Sequence, residues 1–114
     1  MHELGITQNI VAIVTEQARG ASVKRVTLEI GQLSAIMPDS IRFCFDICCQ
    51  DTILEGATLD IIEVAGKGKC RHCGAEVALS QPFGKCDRCG SKELEIIQGQ
   101  ELQIKEMEVE EICV

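Results

Sequence analysis

Cys70-Arg71-His72-Cys73-Gly74 and Cys86-Asp87-Arg88-Cys89-Gly90 are two copies of one unit, with twelve residues between Cys73 and Cys86. Their reading decides how the rest of the chain is divided. Two thiolates with two residues between them can grip one metal ion only if the backbone turns tightly. The glycine after each second cysteine permits a positive φ, which lets backbone N–H groups approach the sulfurs. Two such turns facing each other complete a tetrahedral four-sulfur shell with no position left for a substrate, so the site read from Cys70, Cys73, Cys86 and Cys89 is structural zinc. Apparent binding energy on the order of 10 kcal/mol for small zinc modules would be folding energy for a segment with almost no core of its own. The spacing also admits an iron centre with the same four ligands, and redox thiols or disulfides are the non-metal alternative. His72 lies between two ligands, but four thiolates already suffice, so its side chain is expected to face solvent.

Outward from this quartet the pattern is that of an ordinary small domain. Glu3 to Arg19 reads as an amphipathic helix, with Leu4, Ile6, Ile10, Val11, Ile13, Val14 and Ala18 on one apolar stripe and Gly20 as its C-cap. Val26, Leu28 and Ile30 alternate with charged or hydroxyl residues, as in a strand with one buried face. Gly31 to Pro38 connects to a second helix over Asp39 to Cys49, whose inward face would be Ile41, Cys44, Phe45 and Cys48. Leu59 to Val64 is apolar on both faces, as a central strand should be. Strand character returns from Glu101 to Val109. The expected fold class is α+β: a three-stranded mixed sheet with two helices, carrying an inserted four-cysteine zinc-ribbon module. The α/β domain would comprise residues 1–65 and 96–114, and the zinc module 66–95.

Charge supports two modules. The formal net charge is -7, which argues against nucleic acid or an anionic membrane as the main partner. Yet Lys67 to Lys92 holds six cations (Lys67, Lys69, Arg71, Lys85, Arg88 and Lys92) against the two acids Glu76 and Asp87. Everything else carries -11. A four-thiolate zinc centre bears a formal -2, which is one explanation of that excess; a docking surface for an acidic partner is the other. Eight cysteines in 114 residues suit a secreted disulfide scaffold by number alone. The opening Met1-His2-Glu3 lacks the cationic start of a signal peptide, and no apolar run reaches the roughly 20 residues of a membrane span. A reduced, cytoplasmic protein is expected. Cys44, Cys48 and Cys49 read as small apolar residues of a helix, with Cys113 near the end of the chain. Asp39 and the acidic residues Glu106, Glu108, Glu110 and Glu111 read as solvated.

The amino terminus carries the second constellation. The α-amine of Met1, the deprotonated amide of His2 and its imidazole can close fused chelate rings on one cation, with Glu3 supplying a further ligand. Such nitrogen-rich, roughly planar sets suit Ni(II) or Cu(II). Met1-His2-Glu3-Leu4 followed by the paired cysteines resembles the HypA/HybF family of hydrogenase-maturation nickel chaperones. Gly31-Gln32-Leu33-Ser34, the stretch from Pro38 to Phe45 and the Glu55-Gly56-Ala57 turn extend that resemblance over essentially the whole chain. It implies a cytoplasmic nickel metallochaperone, not an enzyme, that delivers Ni(II) during assembly of [NiFe] hydrogenase, with urease served in some members. Its implied partners are the nickel-binding GTPase HypB and the hydrogenase large subunit, and the chain would act as a monomer or homodimer. Carried onto this sequence, His2 is the primary nickel ligand, with Glu3 and Met1 beside it. Cys70, Cys73, Cys86 and Cys89 take zinc.

Other classes fit less well. A metalloenzyme needs three ligands and a poised acid or base in a cleft, whereas the chain has only two histidines and no nucleophile motif. A zinc-ribbon interaction or scaffold protein without nickel transfer is the alternative function. As a nucleic-acid binder it would have no stacking aromatic in its basic module apart from Phe83.

Overall fold

The computed structural model describes residues 2–110, so Met1, Glu111 and Cys113 lie outside the described residues. Helix α1 spans His2–Ala18 and α2 spans Pro38–Cys49. Strands follow as β1 (Val23–Gly31), β2 (Thr58–Val64), β3 (Gly66–Cys70), β4 (Glu76–Leu79), β5 (Leu94–Gln98) and β6 (Leu102–Val109). They form two three-stranded sheets, ordered β2-β1-β6 and β4-β3-β5. By compactness the chain divides into a unit of residues 1–28, 37–62 and 104–114 and a unit of residues 29–36 and 63–103.

In the first unit, α1 buries Thr7, Ile10, Val11, Val14 and Ala18 and packs against α2. It stops where Arg19 and Gly20 both take positive φ, and Ala21 N–H returns to the Ala18 carbonyl. Ile13, expected on the apolar stripe, is 49% exposed, while Thr7 is fully buried. The hydroxyl of Thr7 donates to the Glu3 carbonyl, which removes the cost of burying it. Helix α2 starts at Pro38, which needs no N–H partner there. Its buried residues are Ile41, Cys44, Phe45 and Cys49. Cys48, assigned to the inward face by spacing, is only half-buried, and Cys49 takes that place at the last turn.

The three-stranded sheet is mixed, as expected. Val23 N–H bonds Ile53 and Gln32 N–H bonds Val64, so β1 and β2 run in the same direction. Gly31 N–H bonds Glu101 and Glu110 N–H bonds Ser22, so β6 runs against β1. The order corrects the reading of individual strands. Strand β1, read as having one buried face, is the central one, and Val26, Thr27 and Leu28 are buried in succession. Strand β2, read as central, lies at the edge and leaves Ile62 40% exposed. A strand hydrogen-bonded on both sides can be covered on both faces; an edge strand keeps one flank in water.

In the second unit, the Gly66-Lys67-Gly68-Lys69 run, poor in strand formers, is nevertheless the central strand β3. It pairs antiparallel with β4 (Gly68 opposite Val77) and with β5 (Gly68 opposite Ile96), with a bulge between Lys67 and Gly68. The glycines mark close packing. A side-chain carbon at Gly66 would lie 2.7 Å from Leu33 Cγ, and one at Gly68 would lie 2.8 Å from Leu79 Cδ1. Around this sheet Leu33, Cys70, Val77, Leu79 and Cys86 form a small core, flanked by Ala75, Leu94 and Ile96. Gly31 N–H bonds Glu101, and Leu33 N–H bonds Gly99, each at 2.7 Å, which ties the segment after β1 into this unit.

Candidate metal centre

The two cysteine units fold as near copies. Gly74 N–H returns to the Cys70 carbonyl and Gly90 N–H to the Cys86 carbonyl, both at 2.9 Å. Gly74 (φ 74°) and Gly90 (φ 75°) adopt the left-handed conformation that the spacing demands. The loops close when Cys70 N–H bonds Ala75 and Cys86 N–H bonds Ser91. One unit leaves from the end of β3 and the other follows the loop after β4, so sheet pairing brings their sulfurs together. Cys70 Sγ is 3.5 Å from Cys89 Sγ, and Cys73 Sγ is 3.5 Å from Cys86 Sγ. All four Sγ atoms lie within 4.8 Å of one another. A tetrahedron with metal–sulfur arms of about 2.3 Å has edges of about 3.8 Å, so the quartet matches a structural metal site. No other donor is needed, and none of the seven described cysteines is in a disulfide.

The surroundings favour thiolate at the two buried sulfurs. Cys73 N–H points to Cys70 Sγ at 3.5 Å and Arg88 N–H to Cys86 Sγ at 3.4 Å. The Cys73 amide, helped by that of His72, brings the Cys70 thiol down to about 6. The amides of Cys89 and Arg88 lower Cys86. The Ser91 amide lowers Cys89 too, but neighbouring Cys70, burial and the other two sulfurs outweigh it and push Cys89 up to about 12. Four sulfurs this close cannot all ionise alone; a dication lets them. The shell has a dry half and a wet half: Cys70 and Cys86 are buried in the core, and Cys73 and Cys89 are exposed. His72 stays outside the quartet, with Nε2 3.1 Å from a Glu93 carboxylate oxygen.

At the other constellation, His2 is exposed at the head of α1 and Glu3 is half-buried behind it. Glu3 lines a cavity of about 250 Å³ with Asp39, Ser40, Phe43 and Cys44 from the first turns of α2. Asp39, read as solvated, has a fully accessible side chain at the rim of this cavity, 4.0 Å from the Arg42 Nε. Among the described residues, the four cysteines are the group in which three or more His, Cys, Asp or Glu side chains converge. Sequence reasoning did not find Leu33 in the core beside Cys70 and Cys86. Only its place after a strand distinguishes it, and the hydrogen bonds that carry it there are long-range. Among the described residues, no helix is long and apolar enough to cross a membrane.

Fold and site define a small α+β protein with a closed four-sulfur metal module. The chain belongs to the HypA family: residues 1–109 match the family model described as hydrogenase/urease nickel incorporation, metallochaperone. Relatives called hydrogenase maturation factor HypA include those of Crocosphaera subtropica (85% identical) and Rippkaea orientalis (82%), each over all 114 residues of both chains. One from Geobacter metallireducens is 48% identical over 96% of this chain and its own full length. A solution structure of HypA protein superposes with a TM-score of 0.70 at 25% identity, covering 96% of each chain. The solution structure of the Ni metallochaperone HypA from Helicobacter pylori shares the fold (TM-score 0.65, 24% identity, 94% of this chain and 96% of that one).

Proposed function

We propose that this chain carries Ni(II) at its amino terminus and hands it over for the maturation of [NiFe] hydrogenase, keeping zinc at Cys70, Cys73, Cys86 and Cys89. One contrast carries the reading: the four sulfurs are held closed from within the fold, whereas His2 stands exposed at the very start of α1. A closed shell retains its ion, and an open one can release it to a partner. His2 would be the main nickel ligand, with the Met1 amine and Glu3 completing the chelate. The ion is cargo, and no catalytic role is assigned to any residue. Urease is the second client class that the family description supports. The GTPase HypB and the hydrogenase large subunit are the partners of this reading, with the chain acting in the cytoplasm as a monomer or homodimer. Residues 1–65 and 96–114 are read as the nickel-binding domain and 66–95 as the zinc domain. A net charge of -7 speaks against a nucleic-acid or membrane partner.

Calorimetric titration of nickel into the zinc-loaded chain tests this. His2→Ala, or an extension that blocks the Met1 amine, is expected to abolish Ni(II) binding while zinc content and the far-UV spectrum stay unchanged. Unaltered nickel affinity in both forms would overturn the terminal chelate.

A further inference from the structure

Charge in the zinc module is uneven in its placement. Residues 66–95 hold six cations and four acids (Glu76, Asp87, Glu93 and Glu95), so a loaded four-thiolate site of formal -2 leaves the module near neutral as a whole, with its positive charge local. Two of these cations are gathered at one place: Lys85 and Lys92 line, with Phe83 and Gly84, a hollow of about 270 Å³. In this unit Lys67 pairs with Glu76 and His72 Nε2 meets a Glu93 carboxylate oxygen, and among the described residues neither Lys85 nor Lys92 has a carboxylate within 4.0 Å.

Phe83 is the more telling member. It is 71% exposed, the most exposed of the large apolar side chains described. Holding a metal does not call for an aromatic ring in water, and covering that ring with an apolar group of a partner would be favourable. Its exposure is also built in. The next residue, Gly84, lies against the small core: a side-chain carbon there would be 3.1 Å from Leu79 Cδ2 and 4.0 Å from Leu94 Cδ1. The loop is therefore seated on the sheet through Gly84, and the exposed Phe83 lines the same hollow as Lys85 and Lys92.

We propose that Phe83, Lys85 and Lys92 form a docking site for an acidic peptide segment of a partner protein, one that sets an apolar side chain on the Phe83 ring and carboxylates against the two lysines. Charge complementarity selects this occupant. Single-stranded nucleic acid is the poorer match, because it needs successive stacking platforms and the module offers one ring. The contact is small, so binding is weak, fast and salt-sensitive.

The test uses the ¹⁵N-labelled, zinc-loaded full chain and a short synthetic peptide of glutamates and aspartates around one central leucine. Amide shift changes are expected at residues 83–85 and 92, fading as salt is raised. Replacing the leucine with serine, or Phe83→Ser, should weaken binding severalfold. Lys85→Glu combined with Lys92→Glu should weaken it roughly tenfold or more. Lys85→Gln is the milder variant if the double reversal fails to fold, and metal content of each variant reports whether the ribbon is intact. Nickel binding is measured in the same samples and is expected not to change, which separates this site from the amino-terminal one. Absence of shifts, shifts confined to other residues, binding that survives the double reversal in a zinc-loaded chain, or tighter binding of an oligothymidylate would overturn the proposal. Self-association of the chain through residues 83–92 without peptide would assign the surface to a second copy and overturn it as well.

Discussion

The Sγ atoms of Cys70 and Cys89 approach to 3.5 Å, yet one is buried at the end of a strand and the other lies at the surface of a loop. The same division separates Cys86 from Cys73. The four ligands are therefore equivalent in chemistry and unequal in what else they do. Cys70 and Cys86 also fill the core around Leu33, Val77 and Leu79. Cys73 and Cys89 do little but close the shell.

That inequality separates two substitutions. Cys73→Ala and Cys70→Ala should both release zinc, measured by elemental analysis after dialysis. Restoring excess zinc should recover part of the amide-exchange protection of residues 66–98 in Cys73→Ala, where three sulfurs and a water can still hold the ion. In Cys70→Ala the lost ligand is also a lost core side chain, and little recovery is expected. Equal recovery in both would mean that the inner cysteines have no packing role.

Glycines in this chain are needed for two different reasons, and alanine distinguishes them. Gly90 has φ 75° with open space around its Cα, so Gly90→Ala should cost only about 1–2 kcal/mol, the usual strain of a left-handed non-glycine residue. Gly31 has ordinary φ, but a side-chain carbon there would run into the backbone of Gly99 and come within 2.7 Å of the Gln100 nitrogen. Gly31→Ala should therefore be far more damaging than Gly90→Ala in urea unfolding of the zinc-loaded chain, although it changes no conformational preference that matters. A smaller effect at Gly31 would mean that this crossing can open.

Leu33 is 6% exposed among the residues that surround Cys70 and Cys86. Leu33→Ala should destabilise the cysteine unit by about 2–4 kcal/mol and speed zinc loss to a chelator, without touching a ligand. Chelator kinetics with a chromogenic acceptor check this, and an unchanged rate would detach Leu33 from the metal module.

Burial, with a smaller contribution from Cys48 and then Asp46, pushes the Cys49 thiol up to about 11 from its ordinary 9.0. The folded chain thus holds this proton more tightly than the unfolded chain does. Its stabilising contribution is complete below about pH 9 and is lost as pH rises from 9 towards 11. Stability measured by urea should fall across that window, and the fall should be shallower in Cys49→Ala, which cannot ionise. At pH 8 the same thiol should be slow to alkylate.

How much of this was legible beforehand depended on the range over which each signal acts. The helices, the tight cysteine turns and the positive φ at Gly74 and Gly90 follow from neighbours within a few residues, through amide geometry and thiolate spacing. The proposed terminal chelate is a local reading too, since Met1, His2 and Glu3 are consecutive. What local pattern could not rank was position in the sheet. Val26 to Leu28 and Leu59 to Val64 are both rich in branched apolar residues, and only strand order makes one central and the other an edge. The Gly66 to Lys69 run has weak strand propensity, and it becomes a strand because Leu33 and Leu79 leave room for nothing larger than hydrogen.

By itself, then, the sequence determined which sulfurs can share an ion, because a tetrahedral shell constrains residues that are close along the chain. Only the tertiary structure decided which two of those sulfurs are dry, that Leu33 packs beside them, and that an exposed Phe83 shares a hollow with Lys85 and Lys92. Each of those depends on packing between segments distant in the chain, where burial and steric contact outweigh local preference.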